Sequence, residues 1–117
     1  MNIEQIREYC FKKKGVTEEF PFDVNTLVFK VMGKMFLLAS LDVIPLQINL
    51  KCDPEKAIEL REEFEAVQPG YHMNKKHWNT IIIDSSIPAR KIFEWIDDSY
   101  YLVVSGLQKT DKERLRK

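Results

Sequence analysis

The sequence predicts a two-layer α+β sandwich, an antiparallel sheet with helices packed on one face. Three observations carry that prediction. Residues 45–51 (PLQINLK) alternate, with Leu46, Ile48 and Leu50 on one side and Gln47, Asn49 and Lys51 on the other. That is the pattern of a strand with one buried and one wet face. Two β-rich runs, 26–31 (TLVFKV) and 34–41 (KMFLLASL), flank Met32-Gly33 as hairpin strands flank a short turn. Helical periodicity brackets these strands, so the order is helix, three-stranded meander, helix, one or two strands, helix.

Each element has a local reason. Asn2 caps a first helix over residues 3–14, with Gln5 completing a capping box. Ile3, Ile6, Tyr9 and Cys10 form its buried stripe, and Gly15 offers the left-handed stop. Lys12-Lys13-Lys14 complements the carbonyl end of the helix dipole, which accounts for the lysines without a ligand. Glu18-Glu19-Phe20-Pro21-Phe22-Asp23 reads as a non-helical connection whose two phenylalanines fold back onto the core.

Asp53-Pro54 starts a second helix, with Asp53 as cap and Pro54 at the first helical position. Its stripe is Ala57, Leu60, Phe64 and Val67, its outer face is acidic, and Pro69-Gly70 ends it. Residues 79–84 (NTIIID) form a further strand, and 71–78 a turn or a short extra strand. Pro88 opens a carboxy-terminal helical region in which Ile92, Ile96, Tyr100, Val103 and Leu107 are in phase. Asp97-Asp98-Ser99 is expected to break it in two, because Asp and Ser favour caps over helix interiors. Residues 108–117 (QKTDKERLRK) are basic, lack an apolar stripe and read as a frayed helix end or tail. One domain over 1–107 with a basic tail over 108–117 is the expectation.

Composition narrows the class. The 117 residues are 44% apolar and 31% charged, which suits one globular domain and excludes a disordered or collagen-like chain. Eighteen Lys and Arg balance eighteen Asp and Glu, so bulk charge does not announce a nucleic-acid binder. The uncharged run from Met35 to Leu41 is far too short to span a bilayer, and the acidic amino terminus is unlike a signal peptide. The chain therefore reads as cytoplasmic, with no membrane partner. Cys10 and Cys52 lack CxxC spacing. Cys10 reads as a small buried hydrophobe; Cys52 precedes a helix start that would lower its pKa, though a reduced structural thiol is the preferred reading.

Chemistry concentrates in Pro69-Gly70-Tyr71-His72-Met73-Asn74-Lys75-Lys76-His77-Trp78, where both histidines, two lysines and two aromatic rings fall within ten positions. Lysines interleaved with flat rings suit a phosphodiester backbone with adjacent bases. The spacing of His72 and His77 resembles a zinc pair, but no acid or cysteine pair lies beside them to complete a tetrahedral site, so no metal is assigned. A histidine beside lysines suits a general base, yet no GxSxG, HExxH or P-loop accompanies it, so no catalytic residue is assigned. For the rings, packing at the sheet edge is the preferred reading; for Lys75 and Lys76, a solvated turn and an anion contact weigh equally. Lys51-Cys52-Asp53-Pro54 sets a lysine at a helix mouth, a corner more simply read as a capped helix with an exposed lysine. Tyr100 of Ser99-Tyr100-Tyr101 fits the core stripe, and the cluster is assigned no chemistry.

Phe20-Pro21-Phe22, Lys51-Cys52-Asp53-Pro54, the PGYHMNKKHW stretch and Ser99-Tyr100-Tyr101-Leu102-Val103 jointly resemble the MmcQ/YjbR family of small bacterial proteins. The resemblance runs from about Ile6 to Leu107. It implies a CyaY-like α+β fold and, by comparison with double-wing sheet-face binders, a DNA-binding role without a reaction or cofactor. The expected contact surface is the open sheet face with Asn49 and Lys51, flanked by Tyr71, His72, Asn74, Lys75, Lys76, His77 and Trp78. Arg114, Arg116 and Lys117 are possible additions to it. The alternative is a small anionic ligand, or an enzyme of unassigned reaction, using Lys51, Lys75 and His77. A third reading takes the acidic face of residues 55–65 as a protein-binding surface.

Overall fold

A computed structural model of the chain describes residues 1–70 and 73–117. The elements are α1 (Ile3–Phe11), β1 (Val16–Glu19), β2 (Thr26–Val31), β3 (Lys34–Ser40), β4 (Gln47–Lys51), α2 (Pro54–Glu63), β5 (Val67–Pro69), β6 (Trp78–Ile82), α3 (Ala89–Ser105) and α4 (Lys109–Arg116). Six strands form one antiparallel sheet in the order β1-β2-β3-β4-β6-β5. Among the described residues, no helix is long and apolar enough to cross a membrane.

The predicted alternation sets the layering. Leu27, Phe29 and Val31 of β2, Ala39 of β3 and Ile48 and Leu50 of β4 pack in one core with Ile6 and Cys10 of α1 and Ile92, Ile96, Tyr100 and Val103 of α3. Register places Thr26, Ser40, Gln47 and Ile82 in one row of the opposite face. Glu19, Val28, Leu38, Asn49, Thr80 and Gln68 form the next row. The Asn2–Gln5 capping box forms as predicted, and Met32 (φ 50°) and Gly33 (φ 80°) are both left-handed, as a two-residue hairpin of this twist requires.

One irregularity organises the sheet centre. Pairing passes from Phe29–Leu37 to Lys30–Met35, so Phe36 is an extra residue in a β-bulge. Phe36 and Leu37 are consequently both buried in the helix-side core. The β3–β4 pairing ends at Leu37–Leu50, short of the Phe36 carbonyl and the Lys51 amide. The Ser99 hydroxyl of α3 serves both: it donates to Phe36 O at 2.5 Å and accepts from Lys51 N at 2.9 Å.

Several expectations are corrected. The run Asp97-Asp98-Ser99 does not break α3, because each side chain has a tertiary partner in place of the local backbone. Tyr9 and Lys13 engage Asp97, Lys56 engages Asp98, and Ser99 engages the sheet. The first helix stops at Phe11, and Gly15 (φ 73°) then turns the chain into β1. Arg7 ties this edge strand to α1 through a bidentate pair with Glu18, at 2.8 and 2.5 Å. That pair holds the Glu18 carboxyl below its ordinary range. Phe20 and Phe22 do not fold back; they are 49% and 63% exposed. The second helix ends at Glu63 because Phe64 is extended (φ −122°), and Val67 pairs with Ile81 in β5 rather than continuing the helical stripe. Residues 109–116 are helical, and Leu115 packs against the main core.

Ser99→Ala removes the hydroxyl that answers two main-chain groups. Its gain in helix propensity, about 0.5 kcal/mol, is smaller than the cost of stranding a buried donor or acceptor. Urea unfolding should show a net loss of about 1–3 kcal/mol, with secondary structure retained by circular dichroism.

Candidate functional site

The turn that carries the conspicuous residues is built around two fixed points. Gly70 donates to Trp78 O at 3.0 Å and accepts from Met73 N at 2.9 Å. A Cβ on Gly70 would lie 3.0 Å from both the Cβ and the carbonyl oxygen of Trp78, so the close approach of the two strands favours glycine. Asn74 is the second point. Its Oδ1 accepts from Lys76 N at 3.0 Å and its main-chain oxygen accepts from His77 N and Trp78 N, both at 3.0 Å. That is turn chemistry, and it uses the side-chain oxygen of Asn74. The His77 carbonyl accepts from Cys52 N at 2.7 Å, which seats the turn beside the start of α2. Tyr71 and His72 lie outside the described residues.

The ladder joins this turn to the predicted sheet face. Lys51 stands opposite Trp78, and Asn49 stands opposite Thr80, whose hydroxyl donates to Asn49 Oδ1 at 2.5 Å. Lys75 and Lys76 are exposed, while Lys51 and His77 are half-buried. Lys30, one row from Val28 on the same face, pairs with Glu19. Asp23, Asp42 and Asp84 belong to loops at the other end of the strands, whereas Asp53, the cap of α2, follows Lys51 at the lysine end.

The open face is less polar than expected. Trp78, 8% exposed, joins Val28 and Leu38 in a second apolar cluster, with Met35 and Met73 packed against it. Trp78 is on β6 and Leu38 on β3, so the indole reaches across β4 to cover the middle of the sheet. The ring is a packing element, over the middle of the sheet rather than at its edge, and its faces are not open to a stacked base. Among the described residues, no three His, Cys, Asp or Glu side chains are grouped as metal donors.

A second constellation, on the helix side, was not picked out from the sequence. The ends of α1 and α4 and the carboxy-terminal part of α3 enclose a groove of about 570 Å³ lined by Lys12, Lys13, Lys14, Tyr100, Tyr101 and residues of α4. Lys13 pairs with Asp97 and lies 4.8, 5.3 and 5.7 Å from the ring centres of Tyr9, Tyr100 and Tyr101. The available signal was the pair of cationic runs, 12–14 and 109–117, each explicable alone by local effects.

The YjbR family model matches residues 11–102. The uncharacterized protein YbdF of Escherichia coli O157:H7 is 43% identical over 98 residues, covering 83% of this chain and 80% of the relative. The uncharacterized protein YjbR of Escherichia coli K12 is 30% identical over 115 residues, 98% of each chain. A crystal structure of a DUF419 protein, DR2400 of Deinococcus radiodurans, superimposes with a TM-score of 0.91 at 39% identity, over 97% of this chain and 87% of the other.

Burial pushes the Cys10 thiol up to about 12 and raises that of Cys52 as well; at Cys52 desolvation outweighs the nearby helix start, as suits the preferred reading of a structural thiol. Both thiols should react with Ellman's reagent at pH 8 roughly a hundredfold or more slowly than in urea. Tyr9 is pushed up to about 12, by burial first and then by its hydrogen bonds to Asp97. The folded state therefore holds this proton more tightly than the unfolded chain. Its contribution is full below about pH 10 and is lost as pH rises towards 12. Absorbance at 295 nm should show late-ionising tyrosine signal that Tyr9→Phe reduces, the remainder belonging to Tyr100, which burial also raises.

Proposed function

The chain belongs to the YjbR family, and on that footing we propose that it binds DNA, holding the phosphate backbone at the lysine-bearing end of its open sheet face. The observation that carries the reading is the cross-strand pairing of Lys51 with Trp78, which brings the face lysine beside the turn bearing Lys75 and Lys76. Trp78 anchors that turn through packing on Val28 and Leu38, so it supports the phosphate contacts from beneath. Asn49 and Asn74 act in the same way, as residues that shape the surface. His77 adds a half-buried ring beside the lysines. The CyaY-like, double-wing comparison is part of this proposal, since such binders present a sheet face to the duplex.

Charge sets the expected strength. Formal net charge is zero and α2 carries acids on its outside, so long-range attraction is weak and affinity rests on the local lysines. Two or three phosphate contacts correspond to a salt slope of about −2 to −3. The small-anion alternative at Lys51, Lys75 and His77 has less support, because Lys75 and Lys76 are exposed on a turn, which suits a ligand extended across a surface.

Fluorescence anisotropy with a labelled duplex, at low and moderate salt, tests the reading. Lys75→Glu with Lys76→Glu should weaken binding about tenfold or more and flatten the salt slope by about 2. Unchanged binding by the double variant, or no binding by the wild type at low salt, overturns it.

A further inference from the structure

We propose that the groove between α1, α3 and α4 is a second binding site, for a small molecule of the nucleotide class that joins an aromatic ring to phosphate groups. It is separate from the sheet face and does not depend on the DNA reading. At about 570 Å³ it falls within the size range of small-molecule sites.

Its charged lining is all of one sign. Lys12 and Lys14 come from the end of α1; Lys112 and Arg116, four residues apart and so on one face of α4, come from the opposite wall. Lys13 is a fifth cation, its charge met by Asp97, and among the described residues no carboxylate lines the groove. Asp97 lies beneath, already taken by Lys13 and by Tyr9, whose hydroxyl is 2.8 Å from both carboxylate oxygens. Cations from two chain segments far apart in sequence repel when gathered on one concave surface. A polyanion seated among them relieves that repulsion and gains charge-assisted hydrogen bonds.

The aromatic part of the wall selects the ligand further. Tyr100 is fixed, its hydroxyl donating to Lys14 O at 2.6 Å. Tyr101 meets it edge to face, with ring centres 5.2 Å apart and planes at 85°. Tyr101 itself is 62% exposed, so a broad ring stands at the mouth of a cationic groove. A flat base stacks on such a ring while its phosphates reach the lysines; a simple aliphatic acid can meet the lysines but has nothing to stack.

Isothermal titration calorimetry with AMP, ADP, ATP and GTP tests the site, with tripolyphosphate and adenosine as the separated halves of the ligand. A nucleotide should bind more tightly than either half. Tyr101→Ala, and separately Lys112→Glu with Arg116→Glu, should each weaken it about tenfold or more, since one ring stack or one charge-assisted contact is worth that much. All three side chains lie at the surface, and unchanged circular dichroism confirms that the variants are folded. Lys75→Glu with Lys76→Glu should leave nucleotide affinity unchanged, which separates this site from the sheet face. The proposal is overturned if no nucleotide binds at millimolar concentration, if the groove variants bind as the wild type does, or if tripolyphosphate matches ATP.

Discussion

Three consecutive polar side chains in the middle of α3 tie that helix to α1, to α2 and to the sheet. Successive helical residues point about 100° apart, so Asp97, Asp98 and Ser99 face three different neighbours. Asp97 takes Tyr9 and Lys13 from the α1 side, Asp98 takes Lys56 of α2 at 3.0 Å, and Ser99 enters the sheet. The Ser99 link matters most, because the bulge at Phe36 takes the Phe36 carbonyl and the Lys51 amide out of regular strand pairing. A single hydroxyl closes that gap as acceptor for one group and donor to the other. The main chain at Lys51, and with it the lysine on the far face, is thus placed by a helix residue on the near side.

The far face has its own logic. A sheet with helices on one side must leave the other stable in water, and a wholly polar surface is one solution. Here the middle of that surface is apolar, and Trp78 covers it. The indole does two things at once. It removes Val28 and Leu38 from solvent, and it draws the turn of residues 73–77 towards the end of β4. Gly70 is the complement, since a Cβ there would press closely on Trp78. The lysines of the turn are therefore mounted on a packed support.

Zero net charge conceals a strong segregation. Acids gather on α2 and in loops at one end of the sheet, while lysines gather at the opposite end and again in the groove by α4. The two cationic regions lie on different sides of the molecule and differ in character. One is an exposed turn on an open face, suited to an extended polyanion. The other is a tyrosine-walled concavity, suited to a compact one.

Local physics was sufficient for much of this molecule. Alternation at 46–51 placed Asn49 and Lys51 on the outer face, Met32-Gly33 marked the hairpin, and Asn2, Asp53 and Pro88 marked helix starts. Where a residue's partner is remote, the same rules misled. Asp97-Asp98-Ser99 has the composition of a helix break, and it is helical because its hydrogen-bonding groups find distant acceptors and donors. Val67 fits a helical stripe, and it is a strand because β6 offers it an edge. Trp78 carries the chemistry of a stacking platform, and it is buried because Leu38, two strands away, faces it. Lys12, Lys13 and Lys14 read as charges at a helix end and residues 109–117 as a tail; that both line one groove follows from folding alone, since spacing along a chain encodes neighbours a few residues apart and not those more than eighty residues away.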